Sequence, residues 1–162
     1  MSDRAEAIVD IIDECDKQGL TLDTQKAYVL ATVEHETGNT FKPVREAFFL
    51  KNPLRYLKSL RYYPYYGRGY VQLTWKENYR KYGDILGVDL VGNPDLACRP
   101  DVARYVLVHG FRTGAFTGKR LTDYVTAGKT DFINARRCIN GTDKAARIAQ
   151  LASKWLRVLR EA

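Results

Sequence analysis

What this chain lacks narrows its chemistry before any motif is considered. No apolar run approaches the roughly 20 residues that a membrane-spanning helix needs. The content of 45% apolar and 28% charged residues is that of a soluble globular protein. Cysteine is scarce: Cys15, Cys98 and Cys138 are far apart, odd in number and without a Cys-x-x-Cys pair, which excludes a disulfide framework and a zinc site and predicts reduced core residues. His35 and His109 are the only histidines and form no His-Glu-x-x-His pattern, so no metal ion is expected. Neither is placed as a partner for a serine or cysteine nucleophile. A phosphate loop is missing, and Gly67-Arg68-Gly69 has no third glycine at dinucleotide spacing, so no nucleotide cofactor is expected. The opening Met1-Ser2-Asp3-Arg4-Ala5-Glu6 lacks the basic start, apolar centre and cleavage site of a signal peptide, and synthesis in a cytoplasm is the expectation.

One sign of charge is in excess. The net charge of +7 favours polyanionic partners, whether nucleic acid, acidic lipid or an anionic cell wall, but the cations are spread along the chain and select none of these.

At 162 residues the chain fits one domain with a real core, and it shows no repeat or linker. Asp3 and Glu6 resemble a capping box for a first helix over about 4–18, ended by Gly19. Thr21 or Asp23 can cap a second helix whose apolar run from Ala27 to Val33 leads to Glu36, just before Gly38. Between Asn39 and Tyr66 three prolines interrupt the pattern, leaving short helices around Arg45–Leu50 and Leu54–Leu60, and Val71–Thr74 reads as a short strand. Helices are predicted over Lys76–Leu86, from Pro100 to about Phe116 and over Asp131–Cys138, and His109 reads as a satisfied core histidine. Ile148, Leu151, Ala152, Trp155, Leu156 and Leu159 give the last helix the strongest amphipathic pattern. Strand signals are too few for a large sheet, so the fold class is mainly α.

Two carboxylates stand out. Glu34 and Glu36 point about 200° apart on a helix and cannot work as a pair. Glu36, beside the Thr37-Gly38-Asn39 turn, is either a cleft acid or a solvated helix-end carboxylate. Glu46, the next carboxylate along, is either the opposed group that glycoside hydrolysis requires or an exposed charge on the following helix. Arg45 or Arg68 is expected to help keep it ionised. The segment Tyr65–Trp75 supplies aromatic stacking surfaces, glycines that allow close backbone approach, and the amide and hydroxyl of Gln72 and Thr74. The run Arg61–Tyr66 can equally stack nucleic-acid bases. Asn140-Gly141-Thr142 is either a turn before the last helix or a polar contribution to a cleft.

Taken in order, His35-Glu36-Thr37-Gly38, Tyr66-Gly67-Arg68-Gly69-Tyr70-Val71-Gln72-Leu73-Thr74, Asn93-Pro94-Asp95-Leu96 and Ala135-Arg136-Arg137-Cys138-Ile139-Asn140-Gly141 resemble glycoside hydrolase family 19. That family contains chitinases and chitinase-like bacteriophage endolysins, and the likeness is greatest to the compact phage endolysins. The resemblance implies a lysozyme-like, two-lobed helical fold with a central cleft and little or no sheet. It also implies inverting, metal-free cleavage of β-1,4 bonds next to N-acetylated sugars. Glu36 matches the general acid and Glu46 the base that activates water. Gln72, Thr74 and Asn78 match positions that bind sugar or place the water, Asn140 matches a substrate-binding asparagine, and Tyr66 and Arg68 lie in the same binding segment. The expectation that follows is a single catalytic domain over 1–162 without a separate wall-binding module. It would be a monomeric muramidase of the endolysin type acting on the peptidoglycan glycan strand, with no cofactor, no nucleic-acid partner and no stable membrane insertion. It would reach the wall once a separate pore opens the membrane. A chitinase acting on N-acetylglucosamine polymers and a catalytically silent glycan-binding protein are the alternatives.

Overall fold

Seven consecutive residues, Ala27 to Val33, are fully buried in the computed structural model, which describes residues 3–161. A helix that is apolar all round belongs inside a protein, and these residues form the centre of helix α2, Asp23–Glu36. Thr32 is accommodated there because its hydroxyl donates to the Tyr28 carbonyl one turn back at 3.0 Å. The cap of α2 differs from expectation. Leu22 precedes the helix, and the Gln25 side chain accepts from the Leu22 N–H at 3.2 Å while its amide donates to the Val125 carbonyl at 3.1 Å. One buried glutamine therefore does the work assigned to Thr21 or Asp23 and also ties the start of the helix to a distant strand.

The remaining helices are α1 (Asp3–Lys17), α3 (Pro53–Lys58), α4 (Lys76–Leu86), α5 (Pro100–Thr113) and α6 (Ala145–Glu161). Two antiparallel pairs make up the strand content of the described residues. Strand β1 (Val44–Arg45) pairs with β2 (Arg68–Gly69), with Val44 opposite Gly69, and β3 (Val125–Thr126) pairs with β4 (Lys129–Thr130). The mainly helical expectation holds.

The chain divides into two compact units, one made of the residues up to Phe41 and from Leu107 onward, the other of Lys42–Val106. In the first unit α6 packs along α2 and buries Ile148, Ala152 and Trp155, the face its spacing predicts. Tyr28 meets Phe111 edge-on at 5.9 Å and stacks near Phe132 at 6.0 Å. In the second unit Ala47, Leu57 and Tyr66 form a small core, with Leu60 and Tyr62 packed against it. Cys15 and Cys138 are buried, Cys98 is partly so, and all three are free thiols; burial pushes the first two up to about 12. They act as small packing groups.

Several local readings change. Arg45–Leu50 is no helix, because Val44 and Arg45 pair with β2 and Ala47 adopts a positive φ of 59°. The strand expected at Val71–Thr74 lies at Arg68–Gly69 instead; Leu73 bridges back to Arg68 while Gln72 turns the chain with φ at 60°. Helix α5 stops at Thr113, before Gly114 with φ at 77°. Asn134–Cys138 is a 3₁₀ turn whose Asn134 N–H donates to the Asp131 carboxylate at 3.0 Å.

Phe111→Ala should destabilise the protein by about 3–5 kcal/mol, since it opens a cavity beside Tyr28. Urea unfolding with an unchanged midpoint would contradict this account of the core.

Candidate active site

The first unit presents Glu36 at the end of the buried α2. Thr37 closes the helix: its hydroxyl donates to the Val33 carbonyl at 2.7 Å and accepts from the Phe41 N–H at 3.0 Å. Arg136, which is 4% exposed, donates to Glu36 Oε1 at 3.2 Å and to the Asp143 carbonyl at 2.8 Å. Glu36 remains partly open, with 23% of its side chain exposed. It is therefore a held helix-end carboxylate with solvent access. Glu34 goes elsewhere, accepting from the Trp155 indole N–H at 3.1 Å, as the angular separation of the two positions requires. His35 is partly buried between them; desolvation depresses its pKa below 6.5, against the opposing pull of Glu36, and Arg136, Arg147 and Lys144 add to the depression. Asn140 is exposed, two residues after the 3₁₀ turn that carries Arg136. His109 lies half-buried in α5.

The second unit presents Glu46, partly buried just after β1. The Tyr62 hydroxyl donates to Oε2 at 2.7 Å and reaches Oε1 at 3.0 Å, while the Gly67 N–H donates to Oε1 at 3.0 Å. Burial, and then the bond to Glu46, raises the Tyr62 pKa well above its ordinary value, so this phenol keeps its proton as a donor. Glu46 also lines a cavity of about 410 Å³ with Ala47, Phe49, Leu50, Tyr56 and Gln72. Gln72 donates to the Val44 carbonyl at 3.3 Å, and a Cβ on Gly67 would fall 2.6 Å from its Oε1. Glycine at 67 is what lets Gln72 lie this close to Glu46's backbone partner. The Thr74 hydroxyl donates to the Gln72 carbonyl at 2.8 Å, and Asn78 donates to the Thr74 carbonyl at 2.8 Å, so the three sites form one local chain of contacts.

Arg68 and Arg45 do not serve Glu46. Arg68 donates to Asp95 at 3.0 Å and Arg45 lies 3.4 Å from the same oxygen. Arg68 is buried; it also donates to the Pro64 carbonyl and the Tyr79 hydroxyl at 2.9 Å and lies 3.7 Å over the Tyr66 ring. Tyr66 is itself buried, stacked on Tyr63 at 6.2 Å, with its carbonyl accepting from Tyr79. These two residues are committed to contacts inside the protein and shape the segment that carries Gln72.

Three partners had not been singled out: Arg136, Tyr62 and Asp95. Arg136 and Asp95 lay inside motifs whose neighbours drew attention, and Tyr62 lay in an aromatic run that reads equally well as a base-stacking surface. No local pattern ties a tyrosine to a carboxylate 16 residues earlier.

A mainly helical chain with partly exposed carboxylates and an aromatic, amide-lined cavity carries the residue types that a glycan site on a helical fold uses. Residues 54–142, more than half of the chain, match the model of glycoside hydrolase family 19, chitinase class I, and the chain belongs to that family. The match includes Tyr66, Arg68, Gln72, Thr74, Asn78 and Asn140 but begins after Glu36 and Glu46. The chain is 57% identical over 42 residues to Chitinase 11 of Oryza sativa subsp. japonica, covering 26% of this chain and 16% of that protein. It is 49% identical over 41 residues to inactive chitinase-like protein 1 of Hevea brasiliensis, covering 25% and 13%. The alignments thus span less than a fifth of these plant proteins. Among solved structures, chitinase C from Streptomyces griseus shares the fold, with a TM-score of 0.69 and 24% identity over 95% of this chain and 68% of its own.

Acidification provides a test of His35. Between its depressed folded value and 6.5 the unfolded chain binds a proton at His35 that the folded chain does not, so the part of the stability linked to His35 is fully present above pH 6.5 and is lost as pH falls through that window. His35→Asn should flatten the dependence of the urea midpoint on pH between 7 and 5. A variant as steep as the parent protein would show that His35 is not the source.

Proposed function

We propose that this chain is a chitinase-type glycoside hydrolase that cleaves β-1,4 bonds in polymers of N-acetylglucosamine, with Glu36 as general acid and Glu46 as general base. The observation that carries the reading is the setting of Glu46. Two donors, the Tyr62 hydroxyl and the Gly67 N–H, hold the carboxylate in one orientation at the wall of the cavity that Gln72 and Tyr56 line. A fixed acceptor beside an amide and an aromatic ring suits the removal of a proton from a water molecule next to a sugar. Protonated Glu36 would donate to the leaving glycosidic oxygen, while Glu46 takes a proton from the water that attacks the anomeric carbon from the opposite face. The bond between sugar and leaving oxygen breaks as the bond to water forms, and the anomeric centre inverts.

Chitin is the leading substrate because the similar plant and bacterial proteins are named as chitinases. Peptidoglycan offers the same β-1,4 link between N-acetylmuramic acid and N-acetylglucosamine. The net charge of +7 favours that second reading, in which the chain is a lytic muramidase drawn to an anionic wall. The likeness to an inactive plant relative keeps a binding-only protein as the outcome to test against.

Parallel digestion of chitin oligomers and purified peptidoglycan, with the new reducing-end sugar and its anomer identified by NMR, separates these readings. The expected first product is an α-anomer ending in N-acetylglucosamine. A muramic acid reducing end would favour the wall substrate, a β-anomer would exclude inversion, and no cleavage of either polymer would leave only binding. Glu36→Gln and Glu46→Gln should each lower kcat by about 10²–10⁴-fold with folding intact. Activity matching the parent protein in either variant removes that residue from the mechanism.

A further inference from the structure

The segment from Phe48 to Tyr56 holds an unusual share of the apolar surface. Phe48 is 54% exposed, Phe49 76%, Leu50 38%, Leu54 50% and Tyr56 45%. The inward side of this segment is already used: Ala47 and Leu57 enter the small core with Tyr66. The exposed side chains are therefore not core residues turned outward by a slipped register. Phe48 and Phe49 pack edge-on at 5.8 Å, making a compact aromatic projection.

Cations flank this patch. Lys51, Arg55, Lys58 and Arg61 are all exposed, and none of them has an ion-pair partner among the described residues. Over residues 42–61 the only acidic side chain is Glu46, whose donors are Tyr62 and Gly67. Exposed Phe, Leu and Tyr side by side with unpaired Lys and Arg match an anionic lipid surface in charge and in chemistry: the apolar groups enter the headgroup boundary while the cations meet phosphates. A neutral sugar chain fits the part of the face outside the cavity less well, because Leu54 offers no stacking face and the four cations would have no counter-charge. Nucleic acid would satisfy the cations but leave the leucines unused.

We propose that the Phe48–Arg61 face docks peripherally on anionic phospholipid through Phe48, Leu54 and the four cations, placing the chain at a membrane surface; Phe49, Leu50 and Tyr56 form the edge that this face shares with the cavity beside Glu46. No spanning segment is involved, and no helix among the described residues is long and apolar enough to cross a membrane.

Co-sedimentation with vesicles tests this directly. The protein should pellet with phosphatidylcholine:phosphatidylglycerol vesicles at 3:1 and not with phosphatidylcholine alone, and raising salt from 0.1 to 0.5 M should weaken the binding. Each basic residue near such a surface strengthens binding about fivefold, so Lys51→Glu with Lys58→Glu should weaken it more than about 25-fold. Phe48→Ser with Leu54→Ser should weaken it while leaving the salt dependence in place. Thermal unfolding of each variant checks that the fold persists. Phe48→Trp gives an independent readout, since its emission should shift to the blue on addition of the anionic vesicles. No pelleting with anionic vesicles, binding that survives both double substitutions, or a Trp emission that does not move would overturn the proposal. Capture by duplex DNA or insoluble chitin through these residues, without vesicle binding, would assign the face to those polymers instead.

Discussion

The burial of α2 is the constraint on which the first unit depends. A helix whose central seven residues all lie below the surface must be covered on every side, so α1, α6, the distal part of α5 and the β3–β4 hairpin are recruited around it. Each large apolar side chain placed there contributes about 1.5–3 kcal/mol. The same burial determines where Glu36 falls. Thr37 and its two hydrogen bonds stop the helix at the edge of the packed region, and the last residue of the helix is a partly exposed carboxylate held by a buried arginine.

In the second unit a buried cation has the corresponding part. Arg68 is desolvated and is satisfied by Asp95, the Pro64 carbonyl, the Tyr79 hydroxyl and the face of Tyr66. Burying a guanidinium is tolerable only when its donors are used, and that requirement binds four separate parts of the segment to one point. The short β1–β2 pair is thereby held, with Glu46 just beyond it and Gln72 in the turn that returns to Arg68. Gly67 serves both sides of this arrangement, giving its N–H to Glu46 and leaving room for the Gln72 amide. The glycine, arginine and glutamine of this motif thus have three different physical jobs, and of the three only the glutamine lines the cavity beside Glu46.

Net charge and exposed apolar surface point in one direction at the segment 48–61. Other cations are paired, as Arg99 is with Asp101 and Lys26 with Asp16. On this face, exposed cations without an ion-pair partner among the described residues lie beside exposed apolar side chains.

Much was legible from residue order alone. Helix positions followed from apolar spacing and from Gly19, Gly38 and Gly87, because those signals act within one or two turns of chain. The order of the four motifs was enough to indicate the family, and the carboxylates Glu36 and Glu46 were visible as isolated groups in sequence. The tertiary structure alone decided which side chains answer one another across long separations. Arg136 meets Glu36 from 100 residues away, Tyr62 turns its hydroxyl onto Glu46, and Arg68, with a composition that suggests a ligand contact, is drawn inward by Asp95. The short strands also escaped the pattern: pairs of two residues have no periodicity, and their register is set by a partner far along the chain. Local propensity and periodicity therefore specified the long helices, whereas the partners of each buried or half-buried charge depend on desolvation, which exists only once the chain has folded.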